Sequence, residues 1–154
     1  MQIKLLAVAA AVALAFAGAA QAQSTMAAKP SVDRKEMKAE RDRIEADYKA
    51  ARAKCSTMKG NEKEVCEADA KGKESVAKAE LENKFEPSQA HARRIDEAKA
   101  EHEYRVTKEK CDASKGKEES ACEKEAKAKY ERARADIKAK FATSERKAAT
   151  GSSK

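Results

Sequence analysis

The feature that most constrains the fold is an internal repeat, in which two copies of one unit follow each other with a displacement of 56 residues. The matching positions are those that pack, cross-link or turn, which duplication of one folding unit would retain. They are Tyr48 and Tyr104, Cys55 and Cys111, Gly60 and Gly116, Cys66 and Cys122, and Phe85 and Phe141. The chain is therefore expected to contain two similar folding units.

Each unit has the pattern of a helix, a tight turn and a second helix. In the first helix the apolar positions follow steps of three and four residues, as in a coiled-coil seam. The seam consists of Met37, Ile44, Tyr48, Ala51, Cys55 and Met58. Gly60 suits a left-handed cap at the end of this helix, and Asn61 is a good N-cap for the next one. Glu86-Pro87 then stops the second helix.

Start signals also mark the other helices. Asp33, with a glutamate three residues later, resembles a capping box at the start of the first helix. Ser88 can cap the first helix of the second unit. Lys117 stands where the first unit has Asn61, so the start signal of the last helix is weaker.

These patterns predict an all-α fold. No stretch alternates apolar and polar residues as a half-buried strand requires, so no sheet is expected. We predict two tandem, disulfide-linked helical hairpins over residues 33–86 and 87–148, with four long helices. Pro87 allows either a four-helix bundle, in which the second hairpin folds back on the first, or a coiled-coil-like rod.

Each unit has two cysteines separated by ten residues, with the turn glycine near the middle. The two cysteines are therefore nearly level across the hairpin, and small neighbouring side chains permit the close approach that a disulfide requires. Four cysteines allow three connectivities. We favour Cys55–Cys66 and Cys111–Cys122, because each closes within one unit in an oxidising compartment.

Redox catalysis and metal binding are not favoured by this pattern. A redox pair normally has the spacing Cys-x-x-Cys, and a zinc site needs ligands in short clusters. His91 and His102 lie far from the cysteines in sequence and are interpreted as solvent-facing helix residues. No metal and no cofactor are predicted.

The first residues have the features of a secretory signal peptide: Lys4, the apolar run 5–20 and a small-x-small site that ends at Ala22. We predict a signal peptide over residues 1–22, with a retained anchor as the alternative. Residues 23–32 are then a linker and residues 149–154 a disordered tail. The mature chain is expected in the periplasm, without an integral membrane span.

Basic charge is concentrated near the end of the chain. The net charge is +7, and residues 124–154 contain ten basic and four acidic side chains. Four of the basic side chains recur at helical spacing and suggest a binding face for an anionic envelope surface. They are Lys124, Lys127, Arg134 and Lys138. The alternative is an ordinary solvated helix face.

The sequence has no motif that usually carries catalysis, such as a Gly-rich phosphate loop or His-Glu-x-x-His. Its carboxylates alternate with lysines along the helices and imply no pocket. The aromatic residues lie on the helix seams and not among the basic residues, which does not favour nucleic-acid binding. We therefore predict a protein that is not an enzyme and does not bind nucleic acid.

The clearest copy of the repeat motif runs from Cys55 to Cys66 as Cys-Ser-Thr-Met-Lys-Gly-Asn-Glu-Lys-Glu-Val-Cys. With an Ala-, Lys- and Glu-rich chain around it, the motif resembles a group of bacterial periplasmic Cys-x10-Cys repeat proteins often labelled cell envelope biogenesis protein TolA. The resemblance covers both repeats, and its likeness to TolA itself is limited to the Ala/Lys/Glu-rich helical region. It implies a place in the cell envelope but does not carry over TolA's partners.

The leading functional hypothesis is a non-enzymatic periplasmic or cell-envelope structural or adaptor protein, which presents disulfide-stabilised hairpins to an envelope protein. One alternative is a periplasmic stress or chaperone-like binder of unfolded clients. Another is a polyanion or membrane-surface binder that uses the basic last helix. Homo-oligomerisation through the helix seams is also open.

Overall fold

The computed structural model describes residues 34–151, with side chains through residue 143. In this part of the chain four α-helices follow one another and no strand is present. They are α1 (Arg34–Cys55), α2 (Gly60–Phe85), α3 (Gln89–Cys111) and α4 (Lys117–Gly151). Outside the described residues lie the predicted signal peptide (1–22), the predicted linker (23–32), the capping candidate Asp33, and residues 152–154 of the predicted tail.

The predicted all-α fold with two helical hairpins is confirmed. The last helix is longer than expected, because α4 continues to Gly151 instead of ending near residue 148. The added residues are Ala149, Thr150 and Gly151, and alanine, the first of them, has the highest helix propensity of all residues.

Glycine forms both hairpin turns. Gly60 and Gly116 have positive φ angles of 56° and 67°, a region that residues with a side chain rarely adopt. The left-handed conformation predicted for Gly60 is confirmed, and Gly116 shares it. Gly60 does not cap α1, however, because α1 ends at Cys55 and Gly60 is the first residue of α2. Ser88 caps α3 as predicted, since its hydroxyl accepts a hydrogen bond from the backbone N–H of His91 at 3.0 Å.

Asn61 does not cap α2, and this prediction was wrong. The cap position is Lys59, which makes no side-chain cap, so Asn61 lies inside the first turn of the helix. Its side-chain amide donates a hydrogen bond to the backbone carbonyl of Glu109 in α3. Contact with a neighbouring helix thus takes the place of the local capping role.

The helices form an open antiparallel array in chain order. α1 packs against α2, α2 against α3 and α3 against α4, while α1 and α4 share no contact within the described residues. Asn61 at the start of α2 contacts Glu109 at the end of α3. Glu82 near the end of α2 pairs with Arg94 near the start of α3 at 3.1 Å. The second hairpin therefore folds back alongside the first.

The buried core is small and consists mostly of small side chains. The buried apolar residues of the described part are Cys55, Ala70, Leu81, Cys111, Ala126 and Phe141. Because alanine buries little apolar area, this core contributes less than rows of leucine or isoleucine would. The array needs other restraints to hold its helices together.

Interhelical ion pairs recur at matching positions of the two hairpins. Lys84 in α2 donates a hydrogen bond to Glu40 in α1, and its repeat counterpart Lys140 in α4 donates one to Asp96 in α3 at 2.7 Å. Exposed ion pairs of this kind contribute about 0–1 kcal/mol each. They favour one alignment of the helices but add little stability.

The disulfides provide the stronger restraint. The structure joins Cys55 to Cys66 and Cys111 to Cys122, with Cα–Cα distances of 5.5 and 5.6 Å. This is the pairing within each repeat that the sequence favours. Cys55 and Cys111 are completely or almost completely buried, so each bond lies between the two helices of its hairpin.

We predict that replacing either disulfide by alanines lowers the free energy of unfolding by about 2–3 kcal/mol, because the cross-link no longer restricts the unfolded chain. Urea unfolding of the Cys55→Ala/Cys66→Ala variant measures this loss. The Cys111→Ala/Cys122→Ala variant is the matched comparison. The disulfide that it removes closes a loop with the same separation of 11 residues, so its loss of stability should be similar. Unchanged stability in both variants would contradict this account.

Candidate functional site

Each hairpin carries a groove between its two helices, and the two grooves are repeat counterparts. The groove of the first hairpin, called groove 1, is lined by eight residues of α1 and α2. The groove of the second hairpin, called groove 2, is lined by eight residues of α3 and α4. Every lining residue of groove 1 has its counterpart, 56 residues later, in groove 2. The duplication therefore extends from the fold to a surface feature.

Four of these eight positions have the same residue in both grooves, and a fifth is acidic in both. Each groove has an acidic residue and a tyrosine on its first helix, and two alanines and a lysine on its second helix. In groove 1 they are Asp47, Tyr48, Ala70, Lys73 and Ala77. In groove 2 they are Glu103, Tyr104, Ala126, Lys129 and Ala133.

The grooves differ most at one position, where groove 1 has Glu74 and groove 2 has Tyr130. The rings of Tyr130 and Tyr104 stack with their centroids 4.8 Å apart and their planes 13° apart. In groove 1 the Tyr48 ring instead has the ammonium of Lys71 at 5.2 Å from its centroid. Groove 2 has a volume of about 140 Å³ and groove 1 of about 320 Å³.

Glu74 is a buried carboxylate with two lysine partners. Its side chain is only 5% exposed and accepts hydrogen bonds from Lys71 at 2.9 Å and from Lys78 at 2.7 Å. Burial by itself would raise the pKa of Glu74, but the hydrogen bonds from Lys78 and Lys71 outweigh it and lower the pKa below its ordinary value. The carboxylate therefore stays ionised and turned toward the lysines.

The exchange of Glu74 for Tyr130 also bears on the predicted basic face. Lys127 and Arg134 are the repeat counterparts of Lys71 and Lys78, but α4 has no buried carboxylate between them. Lys127 lies 4.0 Å from the exposed Glu131, and the Arg134 guanidinium lies 5.7 Å from the centroid of the Tyr130 ring. Part of the basic excess of α4 thus follows from a single substitution between the repeats.

All four residues of the predicted basic face are exposed on α4. Arg134 and Lys138 line a shallow cleft with Arg93 of α3, together with two glutamates. Lys124 is not among the lining residues of that cleft. The structure therefore brings together two of the four residues at this cleft.

His102 is not solvent-facing, which corrects the interpretation from sequence. Its side chain is 22% exposed and lies between α2 and α3, where Nε2 is 3.0 Å from Oδ1 of Asp69. Gly72 faces the imidazole, and a Cβ atom at that position would overlap the ring. A glycine inside a helix usually has a packing reason, so Gly72 is the sequence signal that would have located this contact.

Asp69 connects the α2–α3 interface to the surface. Besides His102, it accepts a hydrogen bond from Lys73 at 2.6 Å. Burial alone would raise the pKa of Asp69, yet the hydrogen bonds from Lys73 and His102 lower it below its ordinary value. The carboxylate is therefore held ionised beside the imidazole.

Within the described residues, no three His, Cys, Asp or Glu side chains come together as metal ligands would. A search of the same residues for a helix long and apolar enough to cross a membrane also finds none. Comparisons of the chain with protein-family models, with curated proteins and with solved structures give no match. The resemblance to TolA-labelled proteins stays a prediction.

We predict that Gly72→Ala lowers the free energy of unfolding by about 1–2 kcal/mol, because overlap with His102 outweighs the gain in helix propensity. In a His102→Ala background the overlapping ring is absent, so Gly72→Ala should leave the free energy of unfolding unchanged or raise it. Ser75→Ala, at an exposed position of α2, is the control for propensity alone. Equal losses from Gly72→Ala with and without His102 would contradict the contact.

We predict that Glu74→Gln lowers the free energy of unfolding by about 1–2 kcal/mol at pH 7. The folded carboxylate has the lower pKa, so its contribution is fully present above the ordinary value of 4.5 and is lost as the pH falls through the folded value. The difference between the wild type and the variant should therefore shrink on acidification, as urea unfolding at a series of pH values would show.

The exposed Glu131 provides the control for this experiment, since Glu131→Gln should change stability little at any pH. The contribution of Asp69 to stability also falls on acidification, because its pKa is lowered as well. The quantity to compare is therefore the difference in unfolding free energy between Glu74→Gln and the wild type at each pH. If the stability curves of the wild type and Glu74→Gln are parallel over pH, the ionised Glu74 carboxylate does not stabilise the fold as we predict.

Proposed function

We propose that this chain is a non-enzymatic structural or adaptor protein of the bacterial envelope, which presents disulfide-linked helical hairpins to an envelope protein. The observation that carries this proposal is the open array, in which each hairpin keeps its own groove at the surface. Helices arranged in one layer expose far more side chain than a closed bundle does. Such a layer suits contact with another macromolecule.

The proposed location in the periplasm rests on two observations. Residues 1–22 contain Lys4, the apolar run 5–20 and a small-x-small site that ends at Ala22, in the order that export requires. The two disulfides are typical of compartments outside the reducing cytoplasm. Both support a chain that folds after export.

The exposed surface favours an adaptor over a chaperone-like binder. Met58, at 40% exposed, is the one large hydrophobic residue that is exposed in the described part of the chain. Binders of unfolded clients need exposed apolar surface to hold them. The described helices offer grooves with a defined lining instead.

An envelope protein is also favoured over an anionic surface as the partner. Lys127 lies 4.0 Å from Glu131, and Glu97 and Glu131 line the cleft that holds Arg134 and Lys138. These acidic side chains reduce the positive charge that the predicted basic face offers to an anionic ligand.

The proposal is tested by expressing the chain with its own N-terminal segment in a Gram-negative host, followed by fractionation, cross-linking and mass spectrometry. We expect the mature chain in the periplasmic fraction, with both cysteine pairs oxidised and one envelope protein recovered in stoichiometric amount. The Lys124→Gln/Lys138→Gln variant should retain that partner, because its exposed charges are not the contact that we propose.

Two results would overturn the proposal. One is a chain that stays in the cytoplasm with reduced cysteines. The other is a purified protein that turns over a substrate and loses the turnover through a point substitution.

A further inference from the structure

The two grooves act as an internal comparison, because one is filled by a side chain of the protein itself. In groove 2 the ring of Tyr130 lies against Tyr104 with parallel planes, and the remaining volume is about 140 Å³. Offset stacking of this kind contributes beyond the area that the rings bury. Groove 2 therefore shows which group this combination of tyrosine and alanine accommodates.

Groove 1 has the same tyrosine but no ring against it. Among the described residues, Tyr48 stacks on no other aromatic side chain. The groups over its ring are flexible cations, the Lys71 ammonium at 5.2 Å and the Arg52 guanidinium at 5.9 Å from the centroid. Glu74 stands at the position of Tyr130 and is held by Lys71 and Lys78, so its carboxylate is turned to the lysines. The volume of about 320 Å³ reaches the lower range of ligand pockets.

The lining of groove 1 is apolar enough to receive a ring. Ile44, Ala51, Ala70 and Ala77 lie around Tyr48, and Ile44 is larger than its counterpart Ala100 in groove 2. A planar aromatic group that displaces the flexible Lys71 side chain from the Tyr48 ring gains both stacking and apolar burial.

We propose that groove 1 binds a tyrosine or phenylalanine side chain of a partner polypeptide, which stacks on Tyr48 as Tyr130 stacks on Tyr104. The inference deepens the adaptor function proposed above and rests on it for the source of the ring. It assigns a specific contact to the first hairpin, while the second hairpin fills its own groove. The two repeats thus share a fold but differ in what they bind.

The site is tested by NMR titration of the whole mature chain with N-acetyl-L-tyrosinamide as the probe. We expect saturable shifts at Tyr48, Ala51 and Ala77, and no comparable shifts at their counterparts Tyr104 and Ala133. N-acetyl-L-leucinamide is the control probe and should bind about three- to tenfold more weakly, because it cannot stack.

Exchanging residues between the repeats provides the matched variants. Ile44→Ala/Glu74→Tyr introduces the alanine and the tyrosine of groove 2 into the first hairpin and should abolish the saturable shifts. Tyr130→Glu introduces the carboxylate of groove 1 into the second hairpin, where Lys127 and Arg134 can hold it, and should create a second site. Circular dichroism and urea unfolding establish that each variant is folded.

The proposal is overturned if tyrosinamide and leucinamide bind equally well, if no saturable shift occurs, or if the Ile44→Ala/Glu74→Tyr variant is folded and binds as the wild type does. Its failure is distinguishable from failure of the adaptor function. An envelope protein that is captured equally by the wild type and by this variant retains the adaptor role and excludes groove 1 as the contact. If tyrosinamide binds but no envelope partner is recovered, the ring site in groove 1 is retained and the adaptor function fails.

Discussion

The structure depends on covalent closure of each hairpin beside its turn. Cys55–Cys66 and Cys111–Cys122 join helices whose buried residues are mostly alanine and cysteine, and such residues contribute little free energy on burial. The glycines at the two turns take the left-handed conformation, which lets the chain reverse direction within a few residues in each hairpin. With both ends of each turn fixed, the helices can remain side by side despite a thin core.

The small number of large buried apolar side chains also agrees with an open array. In the described part of the chain, only the α2–α3 interface joins the two hairpins. Polar contacts hold it: His102 packs on Gly72 and bonds Asp69, and Asn61 donates a hydrogen bond to the carbonyl of Glu109. α1 and α4 share no contact within the described residues. The ends of the array therefore present helix surface to solvent or to a partner.

Duplication followed by divergence links the fold to the proposed function. The grooves retain five identical or equivalent positions, yet Glu74 and Tyr130 make them different in kind. One substitution decides whether the groove is filled from within, and it also leaves Lys127 and Arg134 without the buried carboxylate that their counterparts hold. A binding site and a surplus of basic charge thus arise from one position.

The sequence by itself determined the helices, the repeat, the glycine turns and the pairing of the cysteines, because helix periodicity, left-handed glycine and closure within a hairpin are local properties. Only the tertiary structure decided where Asn61 and His102 lie, how the hairpins pack, and that Glu74 is buried between two lysines. These features depend on contacts between helices that are distant in sequence, and side-chain periodicity does not specify which helix lies next to which.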